Sequence, residues 1–150
     1  MFKIRFGETK DIPILVRMSR DFFESSHYFK TNVFNPETVK KTIEDNLSKP
    51  KEQSILLILE KDEKVVGFIA GLAFHSFFSD DYFAVEHLWW VYPEYRSPKS
   101  LLLLKSLEQW ASHIGCSKLI ITGQKDQTDL KKVLSRFNYT EIEYTFTKEL

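Results

Sequence analysis

Three apolar segments follow one another in the middle of the chain, and short polar connections separate them. Gln53–Glu60 is a nearly continuous apolar run, and Val65–Ala73 follows it after the polar tetrapeptide Lys61–Lys64. After a loop at His75–Asp81, a third run extends over Tyr82–Tyr92. Apolar runs of this length, joined by short polar turns, are typical of antiparallel strands. The sequence therefore predicts three consecutive strands within one sheet, and this restricts the fold more than any other feature.

Helix and strand patterns flank these three strands on both sides. Asn35 followed by Pro36 supplies a cap and a first-turn proline, which mark a helix start, and Gly115 is a typical helix end. The remaining predicted elements are a strand at Phe2–Phe6, helices from Thr9 or Asp11 to Ser25 or Ser26, from Pro36 to Pro50, from Ser97-Pro98 to Gly115 and over Asp126–Asn138, and strands at Lys118–Thr122 and Tyr139–Thr147.

The resulting order, β-α-α-β-β-β-α-β-α-β, predicts the fold class. Strands joined by short turns pair antiparallel, whereas the strands on either side of the Ser97–Gly115 helix form a parallel pair with a right-handed crossover. We expect an α/β (α+β) protein in which a mixed, mostly antiparallel central sheet carries helices on both faces. The length of 150 residues fits a single domain over residues 1–150.

Charge and cysteine content exclude several functional classes. Lys and Arg number 21 and Asp and Glu number 21, so no net field attracts the chain to nucleic acid or to an anionic membrane. The single cysteine, Cys116, can form neither an internal disulfide nor a cysteine-based zinc cluster. Neither a secretory signal nor an apolar run long enough to cross a bilayer is recognisable. We expect a cytoplasmic protein without a metal, a nucleic-acid partner or a membrane partner.

The segment from Val91 to Ser100 carries the most chemical information. A strand ends at Tyr92, a turn that contains Arg96 follows, and a helix then begins. Free N–H groups at a helix start, together with the positive end of the helix dipole, bind phosphate groups, and Lys99 adds a second cation. The pattern predicts a phosphate or pyrophosphate site, although an ordinary capped helix start has the same appearance.

These features together resemble the GNAT family of N-acetyltransferases, which use acetyl-CoA. The Phe-rich first helix and Trp110-Ala111 look most like small GNAT proteins of bacteriophages and bacteria. The resemblance is carried by the first strand with Asp11-Ile12-Pro13, by Val65–Ile69, by Val91-x-Pro93-Glu94-x-Arg96 leading into Leu103, Leu104, Glu108, Trp110-Ala111 and Gly115-Cys116, and by Asn138-Tyr139.

The resemblance implies transfer of an acetyl group from acetyl-CoA to a primary amine of a small molecule or a protein. The residues that it implies for CoA binding are Trp90, Val91, Tyr92, Arg96, Ser97, Lys99, Ser100 and Leu101. Where the family has glycines in the pyrophosphate turn, Lys99 and Leu101 stand here, and Leu134 occupies the position of a frequent proton-donating tyrosine. These departures favour an alternative: a GNAT-fold binding or interaction protein that has lost transfer activity.

Two neighbouring residues, Glu86 and His87, are the candidates for the general base that deprotonates the amine. Adjacent strand residues point to opposite faces, so only one of them can face the cleft. We favour Glu86, because an acid inside an apolar run needs a partner or a role. His87 is alternatively a packed core histidine, and His75 is a further candidate. Cys116 is predicted to be an inert core thiol.

Five aromatic side chains lie in the two loops that border the acceptor site in the family. The resemblance implies that they line a pocket for an apolar or aromatic amine, but a homodimer patch or ordinary burial under a loop explains them equally well. The five residues are Tyr28, Phe29, Phe34, Phe77 and Phe78.

Overall fold

A computed structural model describes all residues, 1–150, and contains one five-stranded sheet in the order β1-β2-β3-β4-β5. The first four strands pair antiparallel, and β5 is parallel to β4. The predicted α/β class with a mixed, mostly antiparallel sheet is therefore confirmed. The strands are β1 (Phe2–Phe6), β2 (Ser54–Lys61), β3 (Lys64–His75), β4 (Tyr82–Val91) and β5 (Lys118–Ile120), and the helices are α1 (Ile12–Ser25), α2 (Pro36–Ser48), α3 (Leu102–His113) and α4 (Thr128–Arg136).

The helices cover the sheet on two sides, and each side has its own core. Helices α1 and α2 bury Leu15, Met18 and Ile43 against one face, where Phe68 of β3 is fully buried. Helix α3 packs on the other face with a second apolar cluster, whose largest members are Leu57, Leu59, Ile69, Leu103, Leu107 and Trp110. Burial of one such side chain stabilises a fold by about 1.5–3 kcal/mol. The alternating pattern of the strands therefore divides one sheet between two helical layers.

An ion-pair cluster joins the start of α1 to the sheet. The Arg5 guanidinium donates two hydrogen bonds to the Asp11 carboxylate, both at 2.8 Å, and its Nε donates to Glu60 at 2.6 Å. Burial would raise the pKa of Asp11, but the bonds from Arg5 and from the Glu8 N–H outweigh that effect and hold the pKa below its ordinary value. Strands β1 and β2 and the first turn of α1 are thereby held together.

The predicted strand at Tyr139–Thr147 is wrong, because the chain after Asn138 has no regular secondary structure. Ile142, Tyr144 and Phe146 alternate as a strand would, but all three are exposed. Alternation identifies the apolar face of a segment but does not supply a neighbouring strand, and a single strand is not stable without one. Here the Tyr139 hydroxyl donates to Glu108 of α3 at 2.7 Å, so the first residue of the segment is bonded to a helix and not to a strand.

Among the element boundaries that differ from the prediction, two lie close to the fork and the turn. Strand β5 ends at Ile120 rather than Thr122, because the Thr122 N–H donates to a side chain of β4 instead of continuing the ladder. The third helix begins with a single 3-10 turn over Pro98–Leu101 before α3. None of the helices combines the length and hydropathy that a membrane crossing requires.

Candidate active site

Strands β4 and β5 separate halfway along β4, and this fork is the main irregularity of the sheet. Strand β5 pairs with β4 only from Phe83 opposite Lys118 to Val85 opposite Ile120. From Glu86 to Val91, β4 has no strand neighbour on this side. Backbone N–H and C=O groups that are unpaired along a strand edge can bind an extended ligand. The fork therefore provides an open strand edge inside the fold.

Glu86 occupies the point at which the two strands separate. The residue is only 8% exposed, and its Oε2 accepts a hydrogen bond from the Thr122 N–H at 3.4 Å. Burial raises the pKa of this carboxyl to about 7, although the hydrogen bond from Thr122 opposes the rise. A carboxyl with a pKa near neutral can accept a proton as a base and return it at the same pH.

Glu86 and His87 lie on opposite faces of the sheet, as adjacent strand residues do, and a β-bulge interrupts β4 at His87. Gly71 lies opposite Glu86 and Ala70 lies opposite Leu88, so His87 is the additional residue of β4. Gly71 faces Leu107 and Trp110 of α3, and Glu86 points to the same side because paired residues share a face. His87 lines a cavity on the other face, under α1 and α2. Desolvation lowers the pKa of His87, and the nearby Lys49 lowers it further.

The turn after β4 holds its predicted cation close to the strand. Arg96 Nε donates to the Val91 carbonyl at 2.9 Å, and the guanidinium lies 4.7 Å from the centre of the Trp90 ring. Desolvation lowers the pKa of Arg96, against the attraction of Glu94, and the group remains a cation at neutral pH. The Trp90 indole N–H is buried and has no acceptor in the chain. Arg96 is exposed, but its side chain folds back onto the end of β4.

The start of the α3 segment is capped by its own serines. The Ser97 N–H donates to Ser100 Oγ at 3.2 Å, and this hydroxyl donates to the Ser97 carbonyl at 2.7 Å. The Ser100 N–H also donates to the Ser97 carbonyl, at 2.9 Å. Fewer N–H groups are free for a phosphate than the sequence predicts, and the exposed Lys99 is the cation at this end.

The other residues predicted around the turn have mainly packing contacts. Val91 is buried in the core on the α3 side, and Tyr92 packs against the core on the α1 side. Burial raises the pKa of the Tyr92 hydroxyl. Leu101 is half-buried in the 3-10 turn that precedes α3. These three side chains hold the turn in place by packing in or against the core.

A cavity of about 230 Å³ lies between α1, α2 and the sheet. Of the five aromatic residues predicted near the acceptor site, only Phe34 lines it. Tyr28 and Phe29 lie exposed in the connection between α1 and α2, whereas Phe77 and Phe78 are 94% and 92% exposed at the tip of the β3–β4 loop. The lining residues are Ser19, Phe23, Phe34, Val39, Thr42, Ile43, Asn46, Leu56, Phe68, Ala70, His87 and Leu88.

The sequence reasoning missed Asn46, the buried polar residue of this cavity. It follows Val39 and Ile43 on the buried stripe of α2, at the spacing that apolar residues of a helix occupy. An asparagine within such a stripe was the available signal. Neither Nδ2 nor Oδ1 of Asn46 has a hydrogen-bond partner.

The connection between α1 and α2 reaches across to the chain segment that follows β5. His27 Nδ1 lies 2.6 Å from Gln124 Oε1, and the His27 N–H donates to the same oxygen at 3.3 Å. Residues 97 positions apart thus meet beside the fork. Because Gln124 lies two residues after Thr122, the contact brings the α1–α2 connection close to the β5 side of the fork.

The remaining candidates lie away from this space or are unreactive. His75 stacks on Tyr82 at the far end of β4, with 4.8 Å between ring centroids. Burial raises the pKa of the Cys116 thiol, which reduces its thiolate fraction. No group of three or more His, Cys, Asp or Glu side chains is placed to hold a metal ion.

Solved structures of several acetyltransferases share this fold. The ribosomal-protein-alanine N-acetyltransferase of Brucella melitensis superimposes with a TM-score of 0.77 at 12% identity, over 99% of this chain and 99% of that chain. The glucosamine-6-phosphate N-acetyltransferase of Arabidopsis thaliana gives 0.78 at 14% identity, over 99% and 98%. The protein AAC(6')-Iy, in complex with the bisubstrate analog CoA-S-monomethyl-acetylneamine, gives 0.81 at 14% identity, over 100% and 98%. The fold is therefore that of acetyltransferases.

Sequence comparison identifies the family of this chain. A family model described as the acetyltransferase (GNAT) family matches residues 17–139. This range is most of the chain and includes the fork, the turn and the cavity, so the chain belongs to the GNAT family. A search of curated protein sequences gives no match.

Proposed function

We propose that the protein transfers an acetyl group from acetyl-CoA to a primary amine. The observation that carries the proposal is the fork between β4 and β5, with the buried Glu86 carboxyl at its apex. Membership of the GNAT family supports acetyl transfer in general. The family's acceptors differ, because the related structures are named for a ribosomal protein alanine and for glucosamine 6-phosphate.

The open edge of β4 fits the donor. Unpaired backbone groups from Glu86 to Val91 suit the amides of an extended chain, and Lys99 and Arg96 stand at the end where the diphosphate would lie. When bound, acetyl-CoA supplies the acetyl group as a thioester. The proposed binding residues remain Trp90 to Tyr92, Arg96, Ser97 and Lys99 to Leu101.

Glu86 is proposed as the base. The amine nitrogen forms a bond to the acetyl carbonyl carbon while the carbon–sulfur bond breaks, so the amine must lose a proton and the thiolate must gain one. A carboxylate that ionises at about pH 7 accepts the amine proton efficiently under neutral conditions.

The test measures acetyl-CoA-dependent thiol release with a panel of amines, for the wild type and for Glu86→Gln. We expect the wild-type rate to rise through about pH 7, where Glu86 ionises. The variant should lose about 10²–10⁴-fold in turnover and the acidic limb of the profile, with CoA affinity unchanged. His87→Gln is the matched variant. If His87→Gln removed the acidic limb of the pH–rate profile and Glu86→Gln did not, His87 would be the base.

A binding protein without transfer activity is the second candidate. The serine cap at Ser97 and Ser100 favours it, because that cap uses N–H groups that would otherwise contact a phosphate. Thermal unfolding separates the candidates. Acetyl-CoA at a hundredfold excess over its dissociation constant should stabilise an acetyltransferase by about 2.7 kcal/mol. Stabilisation without thiol release for any amine would support the second candidate, and no stabilisation at millimolar acetyl-CoA would contradict the proposed donor.

A further inference from the structure

The cavity under α1 and α2 contains a buried polar group without a partner. Asn46 is 8% exposed, and neither its amide nitrogen nor its amide oxygen has a hydrogen-bond partner. An unsatisfied buried amide destabilises a fold, so native structures rarely keep one without a reason. The other polar side chains of α1 and α2 at the cavity are satisfied, because Ser19 donates to the Leu15 carbonyl at 2.8 Å and Thr42 donates to the Thr38 carbonyl at 3.0 Å.

The walls of the cavity define what it can hold. Eight of its twelve lining residues are hydrophobic, and none of them is Asp, Glu, Lys or Arg. No cationic side chain lines the cavity, although the Arg20 guanidinium lies 4.6 Å from the centre of the Phe34 ring and Lys49 lies near His87. An ionised carboxylate or phosphate inside it would therefore have no direct partner in the walls, which is strongly unfavourable. An apolar cavity of about 150 Å³ binds one benzene molecule. A cavity of about 230 Å³ therefore accommodates one ring and a small neutral polar substituent.

The position of the cavity relates it to the fork. His87 lines the cavity and is the residue next to Glu86, where β4 and β5 separate. Desolvation keeps the His87 ring neutral at neutral pH, so it can accept a hydrogen bond from an amine and does not repel an ammonium group. A ligand seated on Asn46 can thus direct its other end along His87 to the gap between β4 and β5, across which the Glu86 carboxyl lies on the opposite face of the sheet.

We propose that this cavity is the acceptor pocket, and that the acceptor is a small primary amine with one apolar ring-sized body and a neutral amide-like end that pairs with Asn46. The side-chain amide of Asn46 donates from Nδ2 and accepts at Oδ1, so a ligand carboxamide satisfies both atoms at once. The amine then lies at the His87 end. This inference rests on the proposed function only in calling the ligand an acceptor. Binding of the ligand in the cavity does not depend on acetyl transfer.

The experiment compares two probes that differ only at the polar end: para-aminomethylbenzamide and para-methylbenzylamine. Calorimetry in the absence of acetyl-CoA should show the amide probe binding the wild type about tenfold more tightly, because two hydrogen bonds replace a methyl contact. Asn46→Leu should remove this preference and raise the melting temperature of the free protein, since it removes an unsatisfied amide. Asn32→Leu, at an exposed asparagine outside the cavity, should keep the preference.

Several results would overturn the inference. Equal affinity of the two probes for the wild type, or no binding of either at millimolar concentration, rejects the pocket even if Asn46→Leu fails to fold. A preference that survives in Asn46→Leu assigns recognition to another group. Because binding is measured without the donor, a protein that binds the amide probe but not acetyl-CoA would contradict the proposed function and leave the pocket in place.

Discussion

At the scale of single residues, two carboxyl groups of this protein experience opposite electrostatic environments. Asp11 has a fixed cation and an N–H donor, so its charged form is stabilised in the fold. Glu86 is also buried but has one long hydrogen bond and no cation, so its neutral form is favoured. The same residue chemistry therefore supports structure at one position and, in the proposed mechanism, proton transfer at the other.

Asp11→Asn should lower the free energy of unfolding at pH 7 by about 1.5–3 kcal/mol, because Arg5 loses a charged bidentate partner. The depressed pKa of Asp11 means that the wild type keeps this stabilisation above about pH 4 and loses it as the pH falls further. Urea unfolding at pH 7 and at about pH 2.5, which is below the ordinary aspartate pKa of about 3.9, measures the free energy of unfolding in both conditions. Glu44→Gln, in an exposed pair with Lys40, is the control and should change little. An equal effect of the two substitutions would contradict the prediction.

Glu86→Gln should stabilise the protein at alkaline pH. The native pKa of about 7 exceeds the ordinary value of 4.5, so the unfolded chain releases its proton first and the wild type loses stability as the pH rises from about 4.5 to about 7. A difference of this size corresponds to about 3 kcal/mol. Denaturant unfolding should show a higher free energy of unfolding for Glu86→Gln than for the wild type at pH 8 but not at pH 5. The control Glu24→Gln, at an exposed residue, should show no gain at either pH. A pH-independent difference would indicate that Glu86 is ionised throughout.

At the scale of secondary structure, the path from β4 through the turn into α3 combines an open edge with a closed turn. The edge is open because β5 separates from β4 after Val85. The turn is closed because Arg96 bonds back to Val91 and the two serines cap each other. In the proposed complex the strand supplies backbone contacts, and the exposed Arg96 and Lys99 supply the positive charge.

Lys99→Glu should weaken CoA binding by about 1.5–3 kcal/mol without changing the melting temperature, because Lys99 is exposed. Arg96→Glu should weaken binding by a similar amount and also lower the melting temperature, since it loses Val91 and Trp90 as partners. Lys41→Glu on the exposed side of α2 makes the same change of charge and should leave the affinity intact. Calorimetric titration with CoA measures the affinity of each variant. Unchanged affinity in Lys99→Glu and Arg96→Glu would reject this turn as the pyrophosphate site.

At the scale of the whole molecule, buried residues and regular secondary structure are distributed unevenly along the chain. The two core clusters hold β1 to β4 with α1, α2 and α3, whereas α4 has no fully buried residue. The chain after Asn138 has no regular structure, and Phe146 is 90% exposed. Around the fork, β4 therefore packs against both buried cores, whereas α4, on the β5 side, contributes no fully buried residue.

Limited chymotrypsin digestion should cut first after Tyr144 and Phe146, because exposed backbone without hydrogen bonds is the preferred substrate of proteases. Fragments cut within β2 or β3 should appear only after global unfolding. Mass spectrometry over a time course identifies the order of cuts. If the last residues remained uncut for as long as the core does, this segment would pair with a strand in solution. The fold of the single chain does not provide such a partner strand.

Periodicity along the chain was sufficient to predict the strands of the sheet, the helices and the two faces, because each depends on residues close in sequence. The opposite orientation of Glu86 and His87 also follows from neighbouring positions in one strand. The bulge, the fork and the meeting of His27 with Gln124 depend on the pairing of distant segments, and local pattern carries no information about that register. For the same reason, the apolar alternation of Ile142 to Phe146 predicts a strand that has no edge to join, and only the packing of α2 on the sheet turns Asn46 into an unsatisfied amide inside a cavity.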